Sequence, residues 1–185
     1  MVVSIHQPNF FPWMPFFQKM EQSDVFVILS HCQFEKNGYQ NRFKLGDKWH
    51  TMSVGRGLFD IKKKEYTAHF DDWKRIKTNL PQYNLEEFNL LIERSLLGTN
   101  TSIITRIAYK LGISTDVEIV QDFETSLTGT ERLVEICQQY DATKYLSGIS
   151  GKKYLDLKLF EQAGIEVIFQ NEIQMIKKPI LEVIC

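Results

Sequence analysis

The sequence predicts an α/β fold class, and three observations predict it. The apolar run Val2, Val3, Ile5, an amphipathic stretch with Trp13, Phe16, Phe17 and Met20 at helical spacing, and the continuous apolar run Asp24–Leu29 make a βαβ opening. From Val117 onward, strand-like and helix-like runs alternate, the pattern of a parallel sheet covered by helices. Between these ends, residues 35–70 carry turn signals and two-residue alternation instead. The expectation is a mainly parallel sheet in a Rossmann-like three-layer arrangement, with a small antiparallel β insertion around residues 33–55. At 185 residues, with 43% hydrophobic and 12% aromatic content, the chain is read as a single packed domain over 1–185, with a β-hairpin insertion at 33–70 and a helical segment at 71–112.

Each element has a local cause. Pro8 bars the residue before it from helical geometry, so the first strand ends near Gln7. Pro12 suits the first turn of the following helix, where a missing N–H costs nothing. Asp24–Leu29 reads as a strand buried on both faces. Asn37-Gly38 and Gly46-Asp47 mark turns around the alternating stretches Asn41–Leu45 and Trp49–Val54. Gly55-Arg56-Gly57 is a break, and Lys62-Lys63-Lys64 reads as a solvated loop. A short helix is expected over Asp71–Leu80, ended by Pro81. A second opens at Asn84-x-x-Glu87 and runs to Leu96 before Gly98; a third runs from Thr101 to Gly112. Val117–Val120, Lys144–Leu146 and Ile165–Phe169 read as strands. Thr128-x-x-Glu131 caps a helix bearing Leu133, Ile136, Cys137 and Tyr140, another covers Tyr154–Ala163, and the end of the chain, Met175–Cys185, holds a strand-like apolar run.

Composition narrows the function classes. A net charge of −1 supplies no field for non-specific nucleic-acid binding, leaving a tRNA-borne group as the one nucleic-acid partner considered. No run approaches a membrane span, and no targeting peptide is legible, so a cytoplasmic protein is expected. Cys32, Cys137 and Cys185 are widely spaced and form no C-x-x-C pair, and the four histidines show no ligand spacing, so no metal is assigned.

Two polar junctions stand out. The first is His6-Gln7-Pro8-Asn9 with Trp13, at the carboxyl end of the first strand, where open α/β sheets bind ligands. His6 can serve as a general base and also fits a buried structural imidazole. The second is Ser147-Gly148-Ile149-Ser150-Gly151-Lys152, with Tyr154 following: small residues, a helix start and a lysine suited to a phosphate or carboxylate, or simply a tight turn. A third group is Gln33, Asn41 and Arg42, where the guanidinium either clamps an anion or braces the hairpin. His31 and Cys32 are adjacent and so point to opposite faces, which argues against a thiol nucleophile.

The block Ile5-His6-Gln7-Pro8-Asn9-Phe10-Phe11-Pro12-Trp13, with Phe17, Lys19, Asp24–Leu29, Gln33-Phe34, Asn41-Arg42 and Tyr145-Leu146-Ser147-Gly148, closely resembles the bacterial WbqC-like family. The resemblance runs from residue 1 to about 170, with Gly151, Lys152 and Tyr154-Leu155 included. It departs from the family at Ser30-His31, where paired aspartates are usual. The resemblance implies a role in O-antigen or other surface-polysaccharide biosynthesis: N-acyl or aminoacyl-type transfer onto a nucleotide-linked amino sugar. The partners would be that nucleotide-sugar and an activated acyl donor, with no other cofactor assigned. His6, Gln7 and Gln33 would be catalytic; Asn9, Trp13, Asn41, Arg42, Ser147, Gly148, Ser150, Gly151, Lys152 and Tyr154 would bind substrate. Two other readings fit the same residues: an ATP-dependent adenylylating enzyme, and a non-catalytic scaffold.

Overall fold

A computed structural model describes residues 1–57, 59–120 and 127–185. In chain order the elements are β1 (Val2–His6), α1 (Met14–Glu21), β2 (Val25–Leu29), β3 (Arg42–Leu45), β4 (Lys48–Thr51), α2 (His69–Asn79), α3 (Leu96–Lys110), β5 (Asp116–Val120), α4 (Gly129–Gln139), β6 (Lys144–Ser147), α5 (Leu157–Gln162), β7 (Glu166–Phe169) and α6 (Leu181–Ile184). Five strands form one parallel sheet in the order β5-β2-β1-β6-β7, and β3 and β4 pair antiparallel in a separate hairpin. This is the three-layer α/β architecture with an antiparallel insertion that the sequence predicts.

The period of two along the strands divides the core into two layers. Phe26 and Ile28 of β2 join Phe16, Phe17 and Met20 of α1 and Ile103, Ile104 and Ile107 of α3 on one face. Val3 and Ile5 of β1 and Val27 of β2 join Ile136 and Cys137 of α4 and Phe160 of α5 on the other. The insertion packs into the first layer through Phe43, Met52 and Tyr66, against Phe10 and Phe11 of the loop after β1.

Several boundaries differ from expectation. Helix α1 starts at Met14, so Pro15 and not Pro12 occupies its first turn. The Asn84-x-x-Glu87 segment forms only a 3₁₀ turn at Glu86–Leu91. Ser95 and Leu96 belong to the next helix: the Ser95 hydroxyl accepts the Gly98 N–H and caps α3. Gly98 therefore lies inside a helix, where a Cβ would collide with the Glu93 carboxylate. Residues 149–153 form a 3₁₀ turn, and α5 begins only after the Asp156 cap. The final apolar run is helical, not extended, with Leu181 buried. Lys64 is not solvated: its ammonium donates to the carbonyls of Gly55 (2.6 Å) and Gly57 and lies over Phe34.

Candidate functional site

The strand order places a topological switch point between β1 and β6. From β1 the chain proceeds to β2 and β5 on one side, while β6 and β7 lie on the other. Crevices form at the carboxyl ends of strands at such points. Here the opening is deepened by an early parting of the ladder. β1 pairs with β2 as far as His6↔Ile28, but with β6 only at Val2↔Lys144 and Val3↔Tyr145. Beyond that, side chains satisfy backbone acceptors along the gap: Ser4 Oγ donates to Leu146 O (3.1 Å) and Lys19 Nζ to Ile5 O (3.0 Å).

Two cavities open there. The larger, about 450 Å³, is lined by His6, Gln7, Lys19, Cys32, Glu35, Arg132, Ser147, Gly148, Ser150 and Tyr154 among others. The smaller, about 350 Å³, is more aromatic and is lined by Asn9, Trp13, Phe16, Tyr39 and Gln170. His6, Lys19, Gly148 and Ser150 border both.

His6 Nδ1 lies 2.9 Å from the Gln7 carbonyl. A carbonyl only accepts, so Nδ1 carries the proton and Nε2 keeps its lone pair. No residue among those described bonds Nε2. The ring edge packs on Phe16 at 4.8 Å between centroids. Burial, and then the charge of Lys19, lower the imidazole's pKa to about 3, so it is neutral through the physiological range.

Lys19 lies within the apolar face of α1 and is only 3% exposed. Its amine has the Ile5 carbonyl and the Phe26 ring as neighbours and no carboxylate partner among the described residues. Burial lowers its pKa to about 7.

Gln7 is oriented by a relay. The Glu35 N–H donates to Gln40 Oε1 (2.8 Å), so Gln40 Nε2 points the other way and donates to Gln7 Oε1 (2.5 Å). That leaves the Gln7 amide N–H groups for the cavity. The turn carrying Gln7 is held from behind by Asn100 of α3, which donates to Pro8 O (2.8 Å) and Gln40 O (2.7 Å) and accepts from Tyr66 OH (2.8 Å). Phe11, at φ 46°, takes a left-handed backbone conformation there, clamped among Phe43, Trp73 and Phe88.

Arg132 of α4 donates through Nε to Leu127 O (2.6 Å) and through Nη1 to His31 O (2.8 Å), which fixes the guanidinium at the cavity wall. Cys32 is held as a thiol: burial pushes its pKa up to about 12, and it donates to Leu29 O. On the β6 side, Ser147 is buried and donates to Gly148 O (3.1 Å). Gly151 is glycine because a Cβ would collide with Ser147 Oγ. Gly148 is different. Its φ of −64° and ψ of 159° suit any residue, and a Cβ would meet nothing nearer than Gln170 Oε1 at 3.8 Å. A side chain there would enter open space at a position that borders both cavities.

The two predicted junctions thus share walls: His6, Gln7, Ser147, Gly148, Ser150 and Tyr154 line the larger cavity, and Asn9 and Trp13 the smaller. Other expected site residues lie elsewhere. Gln33 is exposed in a bridge with Asp60, although its neighbours Cys32 and Glu35 reach the cavity. Asn41 is buried and donates to Met52 O (2.7 Å), closing the hairpin. Arg42 donates to the Gly38 and Asn37 carbonyls and stacks over Trp49 at 4.0 Å, so it braces the insertion. Lys152 is exposed above the Phe169 ring, and Gly151 sits behind Ser147. The 3₁₀ turn of five residues at 149–153 is too short to present a substantial helix dipole.

Sequence reasoning gave no site role to Lys19, Gln40, Asn100 and Arg132. For Lys19 a signal existed: a lysine three residues after Phe16 and one before Met20 interrupts an apolar stripe. The others act through contacts remote in sequence. Among the described residues, no group of three His, Cys, Asp or Glu could hold a metal, and no helix is long and apolar enough to cross a membrane.

Comparison with known proteins agrees in extent with this picture. Residues 7–177 match the WbqC-like protein family. The chain is 30% identical over 184 residues to the uncharacterized protein Rv1507c of Mycobacterium tuberculosis, an alignment covering 89% of this chain and 80% of that one. No solved structure gives a significant match.

Proposed function

The chain belongs to the WbqC-like protein family, and we propose that it is a transferase that moves an acyl or aminoacyl group onto the amine of a nucleotide-linked amino sugar for surface-polysaccharide assembly. The observation that carries the reading is the position of His6, whose Nε2 has no partner among the described residues and belongs to a ring bordering two adjoining cavities. A reaction between two substrates needs such a shared wall, with the reacting atoms brought together there.

The neutral amine of the sugar attacks the acyl carbonyl carbon, forming the C–N bond as the carbonyl oxygen gains negative charge. Gln7, its amide oriented by Gln40, donates to that oxygen. His6 Nε2 takes the proton from the attacking nitrogen. With a pKa near 3 His6 is a weak base, so it holds the proton only in passing, and the departing group takes it as the acyl bond breaks. Arg132 and Lys19 take the anion-holding part that the sequence assigned to Arg42 and Lys152.

The test is a mass-spectrometric assay pairing a nucleotide-linked 4-amino-4,6-dideoxy sugar with acyl donors carried on coenzyme A, carrier protein or tRNA. Amide product from the native protein and loss of at least 100-fold in rate in His6→Gln are expected. No product from any donor class, or full rate in His6→Gln, would overturn the reading. An ATP-dependent thermal shift with pyrophosphate exchange would instead identify an adenylylating enzyme.

A further inference from the structure

Buried lysines ordinarily reach a carboxylate or extend their stems to solvent. Among the described residues Lys19 does neither, and it borders both cavities. One of its three N–H groups is occupied by Ile5 O, so two remain for a ligand. Across the same cavity, on the helix that covers the other face of the sheet, Arg132 uses Nε and Nη1 on carbonyls, while Nη2 makes no bond among the described residues. Among the other titratable groups lining this cavity, Glu35 is the one that brings a negative charge. His6 is neutral, Cys32 and Tyr145 are kept protonated by burial, Tyr154 is a phenol, and Glu35 is a carboxylate on an exposed residue.

We infer that the larger cavity is an anion site, seating a phosphate or carboxylate of its ligand between Lys19 and Arg132. The inference rests on the transferase reading only for what the anion belongs to, either the nucleotide-sugar or the carrier of the acyl group. It has a signature that a merely structural lysine would lack. An anion beside Lys19 favours the ammonium form, so binding above pH 7 takes up a proton, and binding at pH 6, where the amine is already charged, takes up little.

Isothermal titration with pyrophosphate at pH 6.0, 7.5 and 8.5, in buffers of differing ionisation enthalpy, reads both affinity and proton uptake. The native protein is expected to bind saturably, with uptake at pH 7.5 and 8.5. Lys19→Met should weaken binding about tenfold or more and abolish the uptake, and Arg132→Gln should weaken it comparably. If Arg132→Gln fails to fold, Lys19→Met decides. UDP and coenzyme A, titrated in parallel, distinguish the two sources of the anion. Absence of saturable binding by pyrophosphate, UDP and coenzyme A, or unchanged affinity and uptake in Lys19→Met, would overturn the site. Anion binding with these signatures in a protein that forms no amide would leave the anion site standing and remove the transferase.

Discussion

Replacing Lys19 by methionine is expected to stabilise the protein while disabling it. The amine's pKa falls from 10.5 to about 7 on folding. At ~1.4 kcal/mol per pKa unit, the folded state disfavours the protonated amine by roughly 5 kcal/mol, of which about 4 act at pH 7, where the native group is half protonated. Methionine fills similar space without a charge, but it leaves Ile5 O without its donor, a loss of about 1–3 kcal/mol. A net gain of about 1–3 kcal/mol at pH 7 follows. The pH dependence is the sharper readout. Between pH 7 and 10.5 the unfolded chain binds a proton at this site that the native state does not, so native stability rises with pH by up to ~1.4 kcal/mol per unit. The variant lacks that increment, and its advantage shrinks as pH rises. Urea titrations followed by tryptophan fluorescence from pH 6 to 9 measure both curves. If Lys19→Met is less stable at pH 7, or if the two curves run parallel, the amine is not the destabilised group described above.

His6 acts with the same sign in an acid window: its folded pKa near 3 lies below the unfolded 6.5, so stability falls by a few kcal/mol as pH drops from 6.5 towards 3, and His6→Gln should flatten that fall in acid-denaturation curves. Gly148→Leu should melt within a few degrees of the native protein yet lose most transfer activity, since its side chain enters open space at a position that borders both cavities; an unimpaired enzyme would mean that substrates do not pass there. Asn100→Ala strips partners from Pro8 O, Gln40 O and Tyr66 OH and should cost about 2–4 kcal/mol by urea denaturation. Arg42→Ala should leave ligand affinity within about twofold, its losses confined to the hairpin, as a binding titration would show.

What the sequence made legible was whatever repeats at a short period or changes backbone chemistry locally. The continuous apolar run Val25–Leu29 announced a strand covered on both sides, and Pro8 marked where β1 stops. Both junctions at the switch point were visible for that reason. Ser95 and Gly98 misled because a glycine inside a helix looks like an ending; its cause, the carboxylate of Glu93, is a packing fact. The cations were exchanged for the same reason. Arg42 and Lys152 look available in the primary structure, but Trp49 and Phe169 engage them, while Lys19 is charged chemistry within what reads as an apolar helix face. Gln40 and Asn100 matter through bonds to residues 33 and 92 positions away, separations that no local pattern encodes.

The brief pairing of β1 with β6 has a mechanical side. It divides the sheet into two wings, β5-β2-β1 and β6-β7, whose tie near the spine is the short Val2–Val3 ladder with the Ser4 hydroxyl beyond it. The wings are tied again off the spine, by the packed layer that joins Val3 and Ile5 to Tyr145 and Phe160 and by Gln170 Nε2, which donates to Pro15 O, so the gap is braced from both faces. A ligand bridging Lys19 on one wing and Ser150 on the other therefore meets a slot that is already formed, and seating it should leave the core as it is.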